Sequence, residues 1–240
     1  MKKIISLLVA CAMLCAFLTA CGDTDPAISG NDPEAAASSV SEQSSTAPKV
    51  DENEPITEEM LRAYPETPAS DFEYSEWSEG IAIEKYIGSD PIVVIPAEID
   101  GEPVTELYSY IFSTHYESHV RAVLIPASVE RIPEGLAFNN EYFEIAICEG
   151  AKELDDLSFF CCPSLRTVIL GDGLEEMGEM AFGGCLNLEK VRIPASLTSI
   201  SEYDAEGMFD GSKEFLTIYG EAGSYIETFA AEQGIRFQAE

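Results

Sequence analysis

The sequence predicts a solenoid in which short parallel β-strands form a curved concave sheet and turns and short helical pieces form the convex side. Two observations predict this fold. Residues 120–132 recur in similar form at 188–200, and two divergent copies lie between them. Within each copy, alternate residues of a short segment are apolar, which is the period of a strand with one buried face. One such unit cannot bury its apolar face alone, so several must stack.

The N-terminus has the features of an export signal. Two lysines precede a nearly unbroken apolar run over residues 4–17, which is short for a membrane span. The following sequence, Leu18-Thr19-Ala20-Cys21, resembles the cleavage site of bacterial lipoproteins. By this resemblance, residues 1–20 are a signal peptide and Cys21 carries lipid, which anchors the protein to the outer face of the cytoplasmic membrane in the bacterial cell envelope. An ordinary secreted protein and an uncleaved membrane helix are the alternatives.

Residues 21–70, which begin with the lipidated Cys21, are predicted to form a disordered tether. They are rich in Ala, Ser, Pro, Asp and Glu. A segment of this composition buries too little apolar surface to offset the entropy lost on ordering. Within it, Thr57–Tyr64 is predicted to allow one or two helical turns, which Pro65 ends.

Residues 71–90 are predicted to form an N-terminal β-hairpin cap. Two alternating segments, 72–74 and 81–86, flank a turn rich in Ser, Glu and Gly, and Trp77 lies near its tip.

Residues 91–213 are predicted to form about five repeats. The register is set by the residues that follow the strands, which we identify as Pro126, Cys148, Gly171 and Pro194, spaced 22 or 23 residues apart. This register directs four pairs of side chains inward, namely Val123/Ile125, Ile145/Ile147, Val168/Leu170 and Val191/Ile193. The far side of each coil is predicted to be sealed by one aromatic residue, in the series Phe138, Phe160 and Phe182.

These repeats resemble the BspA-type leucine-rich repeats of bacterial surface proteins. The resemblance is carried by Leu-Glu-Lys-Val-Arg-Ile-Pro-Ala-Ser-Leu at 188–197, by Ala-Phe-Gly-Gly-Cys-Leu-Asn-Leu at 181–188 and by the ending at 218–237. It covers roughly residues 81–238 and implies a leucine-rich repeat solenoid that serves as a surface binding module. Cys148 and Gly171, which stand where the pattern has proline, and an insertion at 201–207 depart from the family pattern.

Residues 214–240 are predicted to form a C-terminal cap. Ser224 and Glu227 have the spacing of a capping box at the start of a helix, and Gly234 is suited to end that helix. A strand over 235–237 is predicted to complete the cap.

The residues that alternate with the inward-pointing ones are predicted to line the concave face and to bind a partner. They are Ile92, Val94, Ala122, Leu124, Glu144, Ala146, Thr167, Ile169, Lys190 and Arg192. Most of this stripe is apolar, its last pair is basic, and large exposed apolar patches tend to mark binding sites. Alternatively, the hairpin cap or the tether covers the stripe, or its apolar residues reflect β-propensity alone.

The sequence offers little catalytic or metal-binding chemistry. His115 and His119 are four residues apart but lack the neighbouring glutamate of a helical zinc motif, so no metal and no cofactor is predicted. No nucleophile elbow, phosphate-binding loop or dinucleotide motif is present, and no enzyme is predicted. Cys162 and Cys185 occupy equivalent positions in adjacent repeats. They either form a disulfide or pack as buried thiols, and the second interpretation is preferred.

The charge balance excludes one class of partner. The chain has 44 acidic and 13 basic residues, a formal net charge of −31, whereas nucleic-acid binding needs clustered Lys and Arg. The function predicted is a membrane-anchored surface module that presents its concave face to a protein or glycan. A structural cell-envelope protein and an enzyme accessory domain are the alternatives.

Overall fold

The computed structural model describes residues 51, 54–114, 118–200 and 207–240, which belong to one compact unit. The predicted signal peptide, Cys21 and most of the predicted tether lie outside these residues, as do His115 and residues 201–206 of the insertion.

In chain order the elements are α1 (Glu58–Ala63), a 3-10 turn (Ala69–Asp71), β1 (Phe72–Trp77), β2 (Gly80–Tyr86), β3 (Ile92–Val94), β4 (Glu98–Ile99), β5 (Glu102–Leu107), β6 (Ala122–Ile125), β7 (Arg131–Ile132), β8 (Ile145–Cys148), β9 (Glu153–Leu154), β10 (Thr167–Leu170), β11 (Glu176–Met177), β12 (Lys190–Arg192), β13 (Thr217–Gly220), α2 (Tyr225–Gln233) and β14 (Arg236–Ala239). In the described segments, no helix is both long and apolar enough to cross a lipid bilayer.

Three sheets arrange these strands as the predicted solenoid. A seven-stranded parallel sheet, in the order β3-β6-β8-β10-β12-β13-β14, forms the concave side. The convex side has turns and a three-stranded parallel sheet of two-residue strands, β7-β9-β11. At the N-terminal end, β1 and β2 form an antiparallel hairpin that extends through β5 to β4 in a four-stranded sheet.

The core lies inside the coils, and the predicted inward residues of three strands are buried there. Val123, Ile125, Val168, Leu170, Val191 and Ile193 are each fully buried in it. The prediction is wrong for β8, where Ala146 and Cys148 face the core and Ile145 and Ile147 face the other way. The cause is a register error of one residue. Cys148 aligns with Ile125 in the sheet, so Glu149 is the residue equivalent to Pro126.

The aromatic residues form two separate stacks, and the predicted single series is wrong. Phe182 stacks on Phe159 with ring centroids 5.6 Å apart and on Phe209 with centroids 5.5 Å apart, and all three rings are fully buried. Phe138 and Phe160 stack on each other at 5.7 Å, and both rings are only half-buried. The adjacent residues Phe159 and Phe160 therefore point to opposite sides of the coil wall.

The C-terminal cap has the predicted elements with a different start to the helix. Ser224 is the N-cap residue of α2, but its side chain makes no capping hydrogen bond. Instead, the Gly223 backbone N–H donates to the Glu227 carboxylate at 2.6 Å. Gly234 adopts the left-handed conformation with φ of 70° and ends the helix, and β14 follows.

Candidate functional site

The concave face divides into an apolar half and an open half. The register of the parallel strands places on this face the side chains at the first and third positions of each strand. We define the apolar half as Ile92, Val94, Ala122, Leu124, Ile145, Ile147 and Ile169. We define the open half as the corresponding residues of the last three strands, Lys190, Arg192, Thr217, Tyr219, Arg236 and Gln238.

The structure places eight of the ten predicted binding residues on this face. Thr167 lies at the border of the two halves, and the exceptions are Glu144 and Ala146. Ala146 is fully buried in the repeat core, and Glu144 precedes β8. The prediction for Ala146 is wrong because of the one-residue register error in β8, whereas Glu144 lies just before the strand and its carboxylate contacts residue Ile56 on the concave side. A shift of one residue in a strand moves every side chain to the opposite face.

The apolar half is covered by the chain itself. Residues 54–67, which we call the strap, cross the concave face, with α1 at their centre. Ile56 and Leu61 are buried against the apolar half, and Met60 and Tyr64 pack beside them. The tether prediction is therefore wrong for this segment. The structure agrees instead with the alternative in which the tether covers the stripe.

Local sequence explains why the strap forms a helix here. The Thr57 hydroxyl accepts a hydrogen bond from the Met60 N–H at 3.2 Å, which caps the first turn of α1. Glu58 and Arg62 form an i,i+4 ion pair at 3.1 Å. The helix ends at Ala63 before Pro65, as predicted.

Arg121 and Glu144 fasten the N-terminal end of the strap. The Arg121 guanidinium pairs with the Glu144 carboxylate at 2.6 Å, and both side chains are 12% exposed. Arg121 also donates to the carbonyl oxygen of Glu54 at 2.7 Å. The second Glu144 oxygen accepts from the Ile56 N–H at 3.1 Å. Glu144 therefore contacts the strap directly.

Two ion pairs join α1 to the concave face. Glu58 lies 3.4 Å from the Lys190 ammonium, and Arg62 lies 3.1 Å from Glu149. These pairs line a cleft of about 380 Å³ at the border of the two halves. Partial burial raises the pKa of the Glu58 carboxyl, but the hydrogen bonds and positive charges of Arg62 and Lys190 outweigh burial. The net pKa is below its ordinary value.

The C-terminal end of the strap closes the edge of the sheet. The Thr67 N–H donates to the Val94 carbonyl at 2.8 Å, and the Val94 N–H donates to the Thr67 hydroxyl at 3.0 Å. The Tyr64 hydroxyl bonds Asp90 at 2.8 Å, and burial together with that carboxylate raises the pKa of Tyr64. The edge of β3 is therefore paired, which removes a site for unwanted strand addition.

The open half carries a groove of about 520 Å³ beside β12 and β13. It is lined by Asn187, Glu189, Lys190, Phe215, Thr217 and Tyr219. The Lys190 ammonium lies 5.2 Å from the centroid of the Tyr219 ring, which is a cation–π distance. The Phe215 side chain is exposed. The groove combines two aromatic side chains with amide, hydroxyl, carboxylate and ammonium groups.

Cys162 and Cys185 form no disulfide, which agrees with the interpretation preferred from the sequence. Cys162 and Cys185 are free, buried thiols in adjacent coils. The Cys162 Sγ donates to the Ala137 carbonyl at 2.9 Å, and the Cys185 Sγ donates to the Phe159 carbonyl at 3.0 Å. Burial raises the pKa of Cys162 well above its ordinary value. The two thiols therefore satisfy backbone carbonyls and pack the core.

Metal binding has no support in the described part of the chain. In those segments, no three His, Cys, Asp or Glu side chains converge as ligands. His119 is exposed, with its ring 5.1 Å from that of Tyr142, whereas its predicted companion His115 lies outside the described residues.

Comparison with known proteins shows what the repeats are similar to. Residues 102–217 match the model of the BspA type leucine rich repeat region in six copies. The crystal structure of the T. pallidum leucine rich repeat protein TpLRR is similar, with 28% sequence identity and a TM-score of 0.56. The match covers 65% of this chain and 71% of that one. No curated protein matches the chain in sequence.

A second solved structure shares the fold. A leucine rich cell surface protein from Faecalibacterium prausnitzii A2-165 has 20% identity and a TM-score of 0.51. The match covers 66% of this chain but only 45% of that one.

Proposed function

We propose that this protein is a non-enzymatic binding module that holds a protein or glycan on its concave face, because residues 102–217 match the model of the BspA type leucine rich repeat region. The groove of the open half carries this proposal. Repeat solenoids commonly bind partners along an extended concave surface. Here the strap covers the apolar half, so a partner meets the open half.

The chemistry of the groove suits a ligand with both apolar and hydrogen-bonding surfaces. The rings of Phe215 and Tyr219 offer flat apolar faces, while Asn187, Glu189 and Thr217 offer donors and acceptors. A sugar ring and an extended peptide both present such mixed surfaces. Lys190 contributes an ammonium group to the groove, next to the carboxylate of Glu189.

We place the module in the bacterial cell envelope, anchored to the outer face of the cytoplasmic membrane by lipid on Cys21. The motif at residues 18–21 and the family of the repeats support this location. A diacylated cysteine supplies two acyl chains, and stable anchoring needs more than one.

The binding proposal is tested with the chain from residue 22 onward, immobilised and exposed to a glycan array and to envelope and host extracts. Tyr219→Ala is expected to weaken retention of the captured partner by roughly tenfold or more, since truncating a central interface aromatic costs more than 1 kcal/mol. The matched control is Tyr108→Ala, which removes an exposed tyrosine outside the seven-stranded sheet. Equal retention by Tyr219→Ala and the unmodified chain contradicts a site in the open half.

A structural envelope role is the second candidate, and one observation favours it. Within the described residues, β14 is the terminal strand of the seven-stranded sheet, and three of its four residues are exposed. Such an edge can pair with another copy. Sedimentation velocity distinguishes the two roles, because a structural protein forms concentration-dependent assemblies whereas a binding module stays monomeric.

A further inference from the structure

We propose that the apolar half of the concave face is a docking groove for a short amphipathic helix of a partner protein, and that the strap is its resident, displaceable competitor. This inference concerns the covered half of the sheet. It goes beyond the function proposed above, which uses the open half.

The strap shows which ligand chemistry the groove accepts. The groove buries Leu61 completely and leaves Ile56 only 6% exposed. Met60 and Tyr64 pack at the sides of the same apolar cluster. The groove therefore fits a short helix that carries two adjacent apolar residues, like Met60 and Leu61. A further apolar residue, like Ile56, lies four or five positions earlier in the chain. A partner helix with that spacing of apolar residues makes the same contacts.

Charge complementarity gives the groove a polarity. On the sheet, Lys190 pairs with Glu58 in the first turn of α1. Glu149 pairs with Arg62, which lies one helical turn after Glu58. The partner helix is expected to carry a carboxylate in its first turn and a cation one turn later. Reversing the helix places like charges against each other, which disfavours the opposite orientation.

The strap is separate from the repeat core. Its buried residues Ile56 and Leu61 pack against the apolar half of the concave face. The core inside the coils contains neither of them. Release of the strap therefore exposes the apolar half without opening the coils.

The helix in the strap also depends on docking. α1 has six residues, and isolated helices shorter than about 12 residues are marginal in water. A released strap is thus expected to lose its helix. Because the strap is covalently linked to the groove, it competes at an effective concentration in the millimolar range. The strap therefore occupies the groove unless a helix of higher affinity displaces it or a substitution weakens its docking.

The test uses a fluorescent peptide of residues 54–68 and the chain from residue 22 onward, with fluorescence anisotropy as the readout. Leu61→Asp detaches the strap, and Ile56→Asp is a second, independent way to detach it. Ala63→Asp is the matched control, since it adds the same charge at an exposed position of α1. The peptide is expected to bind both detached variants at least about 100-fold more tightly than it binds the unmodified chain or the control.

Two further variants locate the binding. Adding Leu124→Asp to Leu61→Asp is expected to abolish peptide binding, because Leu124 belongs to the groove. Phe215→Ala, which changes a residue of the open-half groove, is expected to leave peptide binding unchanged, so loss of the proposed open-half function and loss of this groove are distinguishable. Equal binding to Leu61→Asp and the unmodified chain overturns the proposal, as does no binding to either detached variant. Loss of cooperative thermal unfolding in both detached variants also overturns it, because the strap is then part of the repeat core.

Discussion

Phe159 and Phe182, which are equivalent residues of adjacent coils, lie face to face with ring planes within 1° of parallel. Phe209 continues the stack on the other side of Phe182 at 9°. The stack occupies the side of the core that faces away from the concave sheet. It ties three successive coils together through one column of fully buried rings.

Replacing Phe182 with Ala is expected to lower the free energy of unfolding by roughly 3–5 kcal/mol, because a large cavity opens between two rings. Chemical denaturation followed by circular dichroism measures this change. Phe160→Ala is the control, and its half-buried ring predicts a smaller loss. A loss below about 1 kcal/mol for Phe182→Ala contradicts its place in the stack.

Limited proteolysis is expected to give a resistant fragment that starts near residue 50 rather than near residue 70. The strap is folded on the sheet from residue 54 onward, whereas the composition of the preceding residues predicts an uncovered chain. N-terminal sequencing of the fragment locates the cut. In the Leu61→Asp variant the first cut is expected to move toward residue 70. Early cleavage of the unmodified chain between 54 and 67 is the contrary result.

Acid is expected to loosen the strap. The pKa of Glu58 is lower in the folded chain than its ordinary value of 4.5, so the carboxylate stabilises docking above that pH and loses its effect as the pH falls through the folded pKa. Hydrogen exchange of residues 54–67, corrected for intrinsic rates, measures docking between pH 7 and about 3.5. Glu58→Gln is expected to weaken docking at pH 7 and to reduce its pH dependence.

The control for this experiment is Glu59→Gln, which changes an exposed neighbour of the same type. An identical pH dependence in the unmodified chain and in Glu58→Gln rules out Glu58 as the source of the effect.

The buried thiols are expected to resist alkylation in the native protein. Burial raises the pKa of Cys162 and raises that of Cys148 to about 12, and the thiolate is the reactive form. Peptide mapping after treatment with iodoacetamide is expected to find Cys148, Cys162 and Cys185 unmodified before denaturation and modified after it, without reductant. A cross-linked peptide joining Cys162 to Cys185 is the result that refutes this prediction.

Lipid attachment is predicted at Cys21. Cells that express the full chain and are fed a labelled fatty acid are expected to yield labelled protein, and Cys21→Ala is expected to abolish the label. Cys15→Ala, which changes a cysteine inside the apolar run, is expected to keep it. A label that persists in Cys21→Ala excludes anchoring through this residue.

Most of the solenoid could be predicted from sequence because its repeats recur at a nearly constant spacing of 22 or 23 residues. The register of β8, with the sequence Ile145-Ala146-Ile147-Cys148, could not be predicted in this way. Every one of its residues is buried, since the core lies on one side and the strap on the other. A strand buried on both faces carries no alternation of its own, so its register has to be taken from the repeat around it. Phe143 is the residue that sets this register, because it is a core residue at the position of Leu165 and Leu188 in the following repeats.

The strap was the harder part of the site to predict. Ile56, Met60, Leu61 and Tyr64 do have helical spacing, but they are embedded in a stretch of acidic residues and prolines typical of a tether. Six helical residues are too few for periodicity to stand out from that composition. What fixes the segment is contact with the sheet, through residues as distant in sequence as Glu144 and Lys190.

The position of the strap also determines how the protein carries a mechanical load. Chain connectivity places residues 54–67 between the N-terminal segment and the first coil, so tension applied to that segment acts on the strap before it reaches the repeats. The strap is attached through Arg121 and Glu144 at the end that is pulled first. Tension on the N-terminal segment is therefore expected to release the strap, and to expose the apolar half, before the coils unfold.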